Sequence, residues 1–216
     1  MNRKVAKTVI VCVAFIAVVL GLTFNRILAP VGMSNEQLRE NGLFVYDVPR
    51  RFDDFSLIDQ HHQPFTKDRL RDQWTLIFFG YTYCPDICPL TLANIRQFDQ
   101  MLADTPYQDD TQVVMVSVDP RRDTPEKLGE YMSYFGADYI GATGEYIDIF
   151  NLASHLNVSF SYLPAENDDY QVSHSGEIIL INPMGDFHGF FKYPHEPAKM
   201  LQNYTAVREN FQESFE

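Results

Sequence analysis

Cysteine is scarce in this chain of 216 residues: there are three, Cys12, Cys84 and Cys88. So few exclude a fold stapled together by disulfides. Other absences narrow the function further. There is no Cys-x-x-Cys-His for haem attachment, no P-loop for nucleotide phosphates and no serine-triad signature. No internal repeat or low-complexity stretch occurs, so the chain is not a repeat array. Acidic residues are missing from positions 1–26, which hold four of the 17 basic residues. The rest of the chain sets 13 basic against 29 acidic side chains, a formal charge of −16. Such a domain repels nucleic acid and anionic lipid, which excludes a nucleic-acid partner. The acidic surface aids solubility and also suits a basic partner protein.

Charge is absent from Thr8 to Phe24, behind the basic run Arg3, Lys4 and Lys7. Seventeen uncharged residues lie at the short end of the range for a spanning helix. The competing reading is a cleaved signal peptide, but Ile27-Leu28-Ala29-Pro30 makes a poor cleavage site. The expectation is a single-pass inner-membrane anchor. It gives a cytoplasmic N-terminus over 1–7, an anchor over 8–24, a tether over 25–42 and an exported, periplasmic domain over 43–216. Cys12 falls within the anchor as a bystander.

What is present is concentrated in Tyr81-Thr82-Tyr83-Cys84-Pro85-Asp86-Ile87-Cys88-Pro89. A strand pattern, 75–80, runs into the two cysteines and a helical pattern, 89–103, runs out. Proline suits the first turn of a helix and breaks its interior, so Pro89 puts the helix start close to the sulfurs. Free N–H groups and partial positive charge at that end favour thiolate over thiol. Residues four apart share a helix face, so both sulfurs can meet on one metal ion or in a disulfide. Asp86, between them, can modulate their acidity or accept helix N–H bonds.

Further along, 112–118 reads as a buried strand and Thr124-Pro125 opens a helix that ends near Gly136. Asp123 and Thr124 read as its cap. Another helix is expected over 144–156, a hairpin over 177–182 and 187–191, and a last helix over 196–210. An earlier hairpin is expected between Phe55 and Phe65. Strands alternating with helices give an α/β fold: a thioredoxin-like central mixed sheet flanked by helices, with added β-hairpins and the cysteines at a strand's carboxyl end.

His174 lies between a polar loop (Glu166 to Asp169) and the strand that starts near residue 177. Two thiolates and an imidazole suit Cu(I), accommodate Cu(II), and also match catalytic zinc sites, so copper and zinc both stay open. Asp119, at the end of strand 112–118, is a candidate to orient His174 or tune the site from behind. His61, His62, His155, His188 and His195 have no paired ligand at metal-like spacing.

The cysteine segment, then Ser117-Val118-Asp119-Pro120-Arg121-Arg122-Asp123-Thr124-Pro125, then His174-Ser175, resemble in order and spacing the Sco/SenC family. The likeness covers about residues 44–210. It implies a thioredoxin-like fold with an inserted hairpin near the histidine, and copper held by Cys84, Cys88 and His174. It also implies assistance to the dinuclear copper centre of cytochrome c oxidase, with the oxidase's copper-binding subunit or another periplasmic copper protein as recipient. Some members resemble thiol–disulfide reductants, in which Cys84 and Cys88 form the redox-active pair. Either role outside the cytoplasm calls for a thiol reductant of the thioredoxin-like type. One departure is Ser173, where many members carry an acidic residue before the histidine.

Overall fold

The computed structural model describes residues 12–20, 33–163 and 170–211. Residues 33–216 cluster as one compact unit and residues 1–32 as another. In the first part of the chain, residues 12–20 are helical and their apolar side chains, such as Phe15 and Ile16, are exposed. The rest of the expected anchor, residues 1–7 and the tether's 25–32 lie outside the described residues. Among the described residues no helix is long and apolar enough to cross a membrane.

The main unit opens with helix α1, Asn35–Glu40, within the stretch expected to be a tether. Ser34 and Gln37 form a reciprocal capping box there, which satisfies two free N–H groups at the helix start. Leu38 is buried, so this turn belongs to the folded body. Strand β1, Leu43–Arg50, follows, then the expected hairpin as β2, Ser56–Asp59, and β3, Pro64–Thr66. A 3₁₀ turn over Lys67–Leu70 leads to β4, Trp74–Gly80.

Every residue of β4 is buried. A strand buried on both faces reads as a continuous apolar run, and Trp74-Thr75-Leu76-Ile77-Phe78-Phe79 is that run. It pairs in parallel with β5, Thr111–Ser117, which pairs in parallel with β6, Ile140–Thr143. Helix α2, Ile87–Leu102, links β4 to β5, and helix α3, Pro125–Ser133, links β5 to β6. Helix α4, Tyr146–His155, precedes a separate two-stranded ribbon of β7, Phe160–Tyr162, and β8, Val172–His174. The polar loop 166–169 between them lies outside the described residues. The expected C-terminal hairpin is β9, Ile178–Ile181, with β10, Phe187–Phe191, and helix α5, Pro197–Asn210, follows it.

The main sheet has eight strands in the order β1-β10-β9-β4-β5-β6-β2-β3. The mixed α/β architecture with a central sheet agrees with the sequence expectation. The sequence does not announce that the last hairpin inserts between the first strand and β4. Helix α2 packs on α5, with Phe98 and Tyr204 meeting edge to face. That contact fixes the axis of the helix whose first turn carries Cys88.

Candidate metal centre

Strand β4 ends at Gly80, and α2 begins seven residues later with Cys88 as its second residue. The start lies just upstream of Pro89 with Cys88 in the first turn, as Pro89 implies, two residues before the helical range 89–103; Pro89 sits where a missing N–H costs nothing. Cys88 is fully buried and Cys84 is 8% exposed, so one sulfur sits behind the other. Gly80 makes room for the inner one: a Cβ there would lie 3.1 Å from Cys88 Sγ.

His174, the last residue of β8, closes the site. Its Nε2 is 3.2 Å from Cys88 Sγ, and its Nδ1 is 2.9 Å from the Ser175 carbonyl oxygen. A carbonyl only accepts, so Nδ1 carries the proton and Nε2 presents its lone pair to the sulfur. The rings of Phe78 and Tyr81 stand edge-on to the imidazole at 5.7 and 6.0 Å. The three ligand atoms lie within 4.8 Å of one another, the one such group of three among the described residues.

The two thiols differ sharply. Hydrogen bonding from the Cys88 thiol lowers Cys84 to about 4, helped by the backbone N–H groups of Asp86 and Cys88, against the cost of burial. Cys88 N–H lies 3.4 Å from Cys84 Sγ, as a helix start provides. Burial, with Cys84 beside it, pushes Cys88 well above the ordinary thiol value. Both cysteines are free thiols here. The arrangement offers an outer thiolate, an inner thiol and an imidazole lone pair, a soft donor set.

The family whose description is SCO1/SenC matches residues 48–209. The chain belongs to the SCO1/SenC family. A protein of Stutzerimonas stutzeri whose name proposes copper binding is 38% identical over 161 residues, covering 74% of this chain and 78% of its own. An SCO2-like protein of Rickettsia conorii is 29% identical over 201 residues, 92% of this chain and 97% of that one. Among solved structures, copper-bound ScoI of Arabidopsis thaliana aligns with TM-score 0.68 at 31% identity, over 73% of this chain and 98% of that one.

In this SCO1/SenC protein the other candidate residues take distinct places. Asp119 is fully buried but does not touch His174; its carboxylate pairs with Arg122 and accepts from the Tyr170 hydroxyl. Asp86 is the residue before α2, yet its side chain makes no capping bond and is exposed. The capping expectation for Asp123 is corrected. Thr124 alone caps α3, accepting from Lys127 N–H, because Pro125 fixes the first helical position. Asp123 instead turns inward and accepts from Thr82 N–H at 3.0 Å, Thr82 Oγ1 at 2.6 Å and Ser117 Oγ at 2.7 Å. It braces the loop that carries Cys84. His195 also has more than a bland place: its Nε2 donates to the Gly176 carbonyl at 2.7 Å, which pins the segment just after His174. No sequence pattern marks that contact.

Proposed function

We propose that the protein is a membrane-anchored periplasmic copper metallochaperone. It binds copper through Cys84, Cys88 and His174 and assists assembly of the dinuclear copper centre of cytochrome c oxidase. The observation that carries this reading is the imidazole: a lone pair 3.2 Å from the inner sulfur, held by a backbone carbonyl on the ring's other nitrogen. Dithiol chemistry has no need of it. Two sulfurs favour Cu(I), and the added imidazole admits Cu(II), whereas a closed structural zinc site wants a fourth protein ligand. Copper binding by similar ScoI and yeast Sco1 structures supports the same choice. Copper here is cargo, passed to the thiolates of a recipient such as the oxidase's copper-binding subunit, with Cys84, the outer of the two sulfurs, nearer to solvent.

A second reading has its own observation, the unequal acidity of the thiols. As an oxidoreductase, the Cys84 thiolate would attack a partner disulfide, form a mixed disulfide and expel one partner thiolate. Cys88, giving up its proton, would then attack Cys84 Sγ and expel the other. The partner gains two electrons, the chain ends as a Cys84–Cys88 disulfide, and an external thiol reductant restores it.

Anaerobic Cu(I) titration of the reduced protein with zinc in competition tests the first reading. One copper per chain, held against zinc, is expected; two tightly held coppers per chain, or none, would overturn it.

A further inference from the structure

The ribbon that carries His174 is no part of the eight-stranded sheet: β7 and β8 pair with each other alone. Each strand has three residues. Two-stranded ribbons are marginal by themselves, so side chains must fix where this one points. Tyr162 Oη donates to the Val118 carbonyl at 2.8 Å, and Val172 N–H donates to Tyr81 Oη at 3.3 Å. Tyr170 Oη donates to Asp119 Oδ1 at 2.6 Å. Arg122 binds both sides of this junction. Its Nε donates to Asp119 Oδ2 at 2.5 Å, its Nη2 donates to the Tyr170 carbonyl at 2.9 Å, and its guanidinium lies 3.8 Å from the centre of the Tyr170 ring. Asp119 is fully buried and the Arg122 side chain is 14% exposed, so the ion pair sits largely out of water.

We infer that Asp119, Arg122 and Tyr170 form a latch that holds the His174 ribbon against the cysteine loop, with Arg122 a positioning residue for an imidazole it does not touch. What the alignment serves rests on the copper reading; the alignment itself belongs to the metal-free protein. Cys84 and Cys88 are placed by β4, Gly80 and α2, whereas His174 is placed from the far side by the ribbon. Releasing the bonds to Tyr170 therefore loosens one ligand of three; Arg122 also lies 4.7 Å from the centre of the Tyr83 ring beside Cys84, and Tyr170→Phe is the change that spares that contact. A lysine at 122 would keep the charge beside Asp119 but could not reach the Tyr170 carbonyl with a second, fixed donor.

The test uses the full chain with Arg122→Met, Arg122→Lys and Tyr170→Phe. Three quantities are read: amide hydrogen exchange of the metal-free protein, Cu(I) and Cu(II) affinity, and imidazole-nitrogen hyperfine coupling of the Cu(II) form. Arg122→Met should speed exchange at Val172 and Ser175 by about tenfold or more, with β4 and β5 amides unchanged. Cu(II) affinity should fall by about 10- to 100-fold with weakened nitrogen coupling, while Cu(I) affinity changes less than about threefold. Arg122→Lys should fall between wild type and Arg122→Met. Wild-type exchange at Val172 and Ser175, or equal losses for both copper states, would overturn the latch. Should Arg122→Met not fold, Tyr170→Phe decides alone, since it leaves the ion pair intact; unchanged exchange there overturns the proposal. If the wild-type protein bound no copper, the copper reading would fail and the exchange measurement would still decide the latch.

Discussion

Nε2 of His174 stands 3.2 Å from Sγ of Cys88, a residue 86 positions earlier in the chain. Neither residue is near the other in sequence, and their meeting depends on the ribbon reaching across to the end of β4. Removing either should therefore have a distinct signature.

His174→Ala leaves both thiols and the helix start that activates Cys84. Dithiol–disulfide exchange should persist near the wild-type rate, and Cu(II) binding should suffer most, because the imidazole is the ligand that suits Cu(II). Cu(II) charge-transfer absorption, recorded beside the rate of disulfide reduction, separates the two. Normal Cu(II) spectra in the variant would exclude His174 as a ligand.

Oxidation should silence the site for Cu(I). The thiolate is the ligand, so a Cys84–Cys88 disulfide has none to offer. Thiol trapping during loading should show copper only in the reduced fraction; full loading of oxidised protein would count against both cysteines.

Cys84, held at about 4, should remain a thiolate throughout the neutral range. A lowered value means the proton is gone above it, so alkylation of Cys84 should change little between pH 6 and 8. An ordinary thiol would quicken about tenfold per pH unit over the same interval, following its thiolate fraction. Rates of iodoacetamide labelling in metal-free Cys88→Ser protein do not suffice, since Cys88 itself contributes to the lowering; the measurement belongs on the wild type with site-resolved mass spectrometry.

Gly80→Ala should destabilise the fold. The new Cβ would lie 2.7 Å from Phe78 Cε1 and 3.1 Å from Cys88 Sγ, both fully buried. Overpacking of this kind costs about 1–3 kcal/mol. The urea midpoint should fall at unchanged slope, and a midpoint equal to wild type would show that the sulfur has room to spare.

His188 should make the protein acid-sensitive. It is buried edge-on to Trp74 and Phe211, and burial lowers it to about 4. The unfolded chain takes up this proton near 6.5 and the folded one resists until about 4, so stability falls as pH drops through that window. The gap corresponds to at most about 3 kcal/mol. His188→Phe should flatten the dependence of unfolding free energy on pH between 6.5 and 4; an unchanged slope would assign it to other groups.

Much of the fold was legible because local rules and packing agree. The apolar run of β4, the Thr124-Pro125 helix start and the Pro183-Met184-Gly185-Asp186 turn each carry their own signal; in the structure Asn182 Oδ1 adds to that turn by accepting from the N–H groups of Met184 and Asp186. The two cysteines were legible through spacing and through Pro89. His174 stood out by resemblance, since a lone histidine carries no periodicity. The inward turn of Asp123 was not legible: a carboxylate before a helix start looks like a cap, and only the buried Thr82 and Ser117 hydroxyls redirect it. The roles of Tyr170 and His195 depend on contacts across 51 and 19 residues, to which no local pattern points.

The first strand of the domain is partnered by the last. Leu43, Phe44 and Val45 pair with Phe191, Phe190 and Gly189, and β10 in turn joins β1 to β9 and so to β4. A ribosome therefore delivers both thiols, and later the imidazole, well before the strand that completes the sheet exists. Closing so long a loop is slow compared with local helix formation. During synthesis the sulfurs emerge as part of an unfinished surface, and a nascent chain halted before residue 187 would own every ligand and lack the frame that aims them.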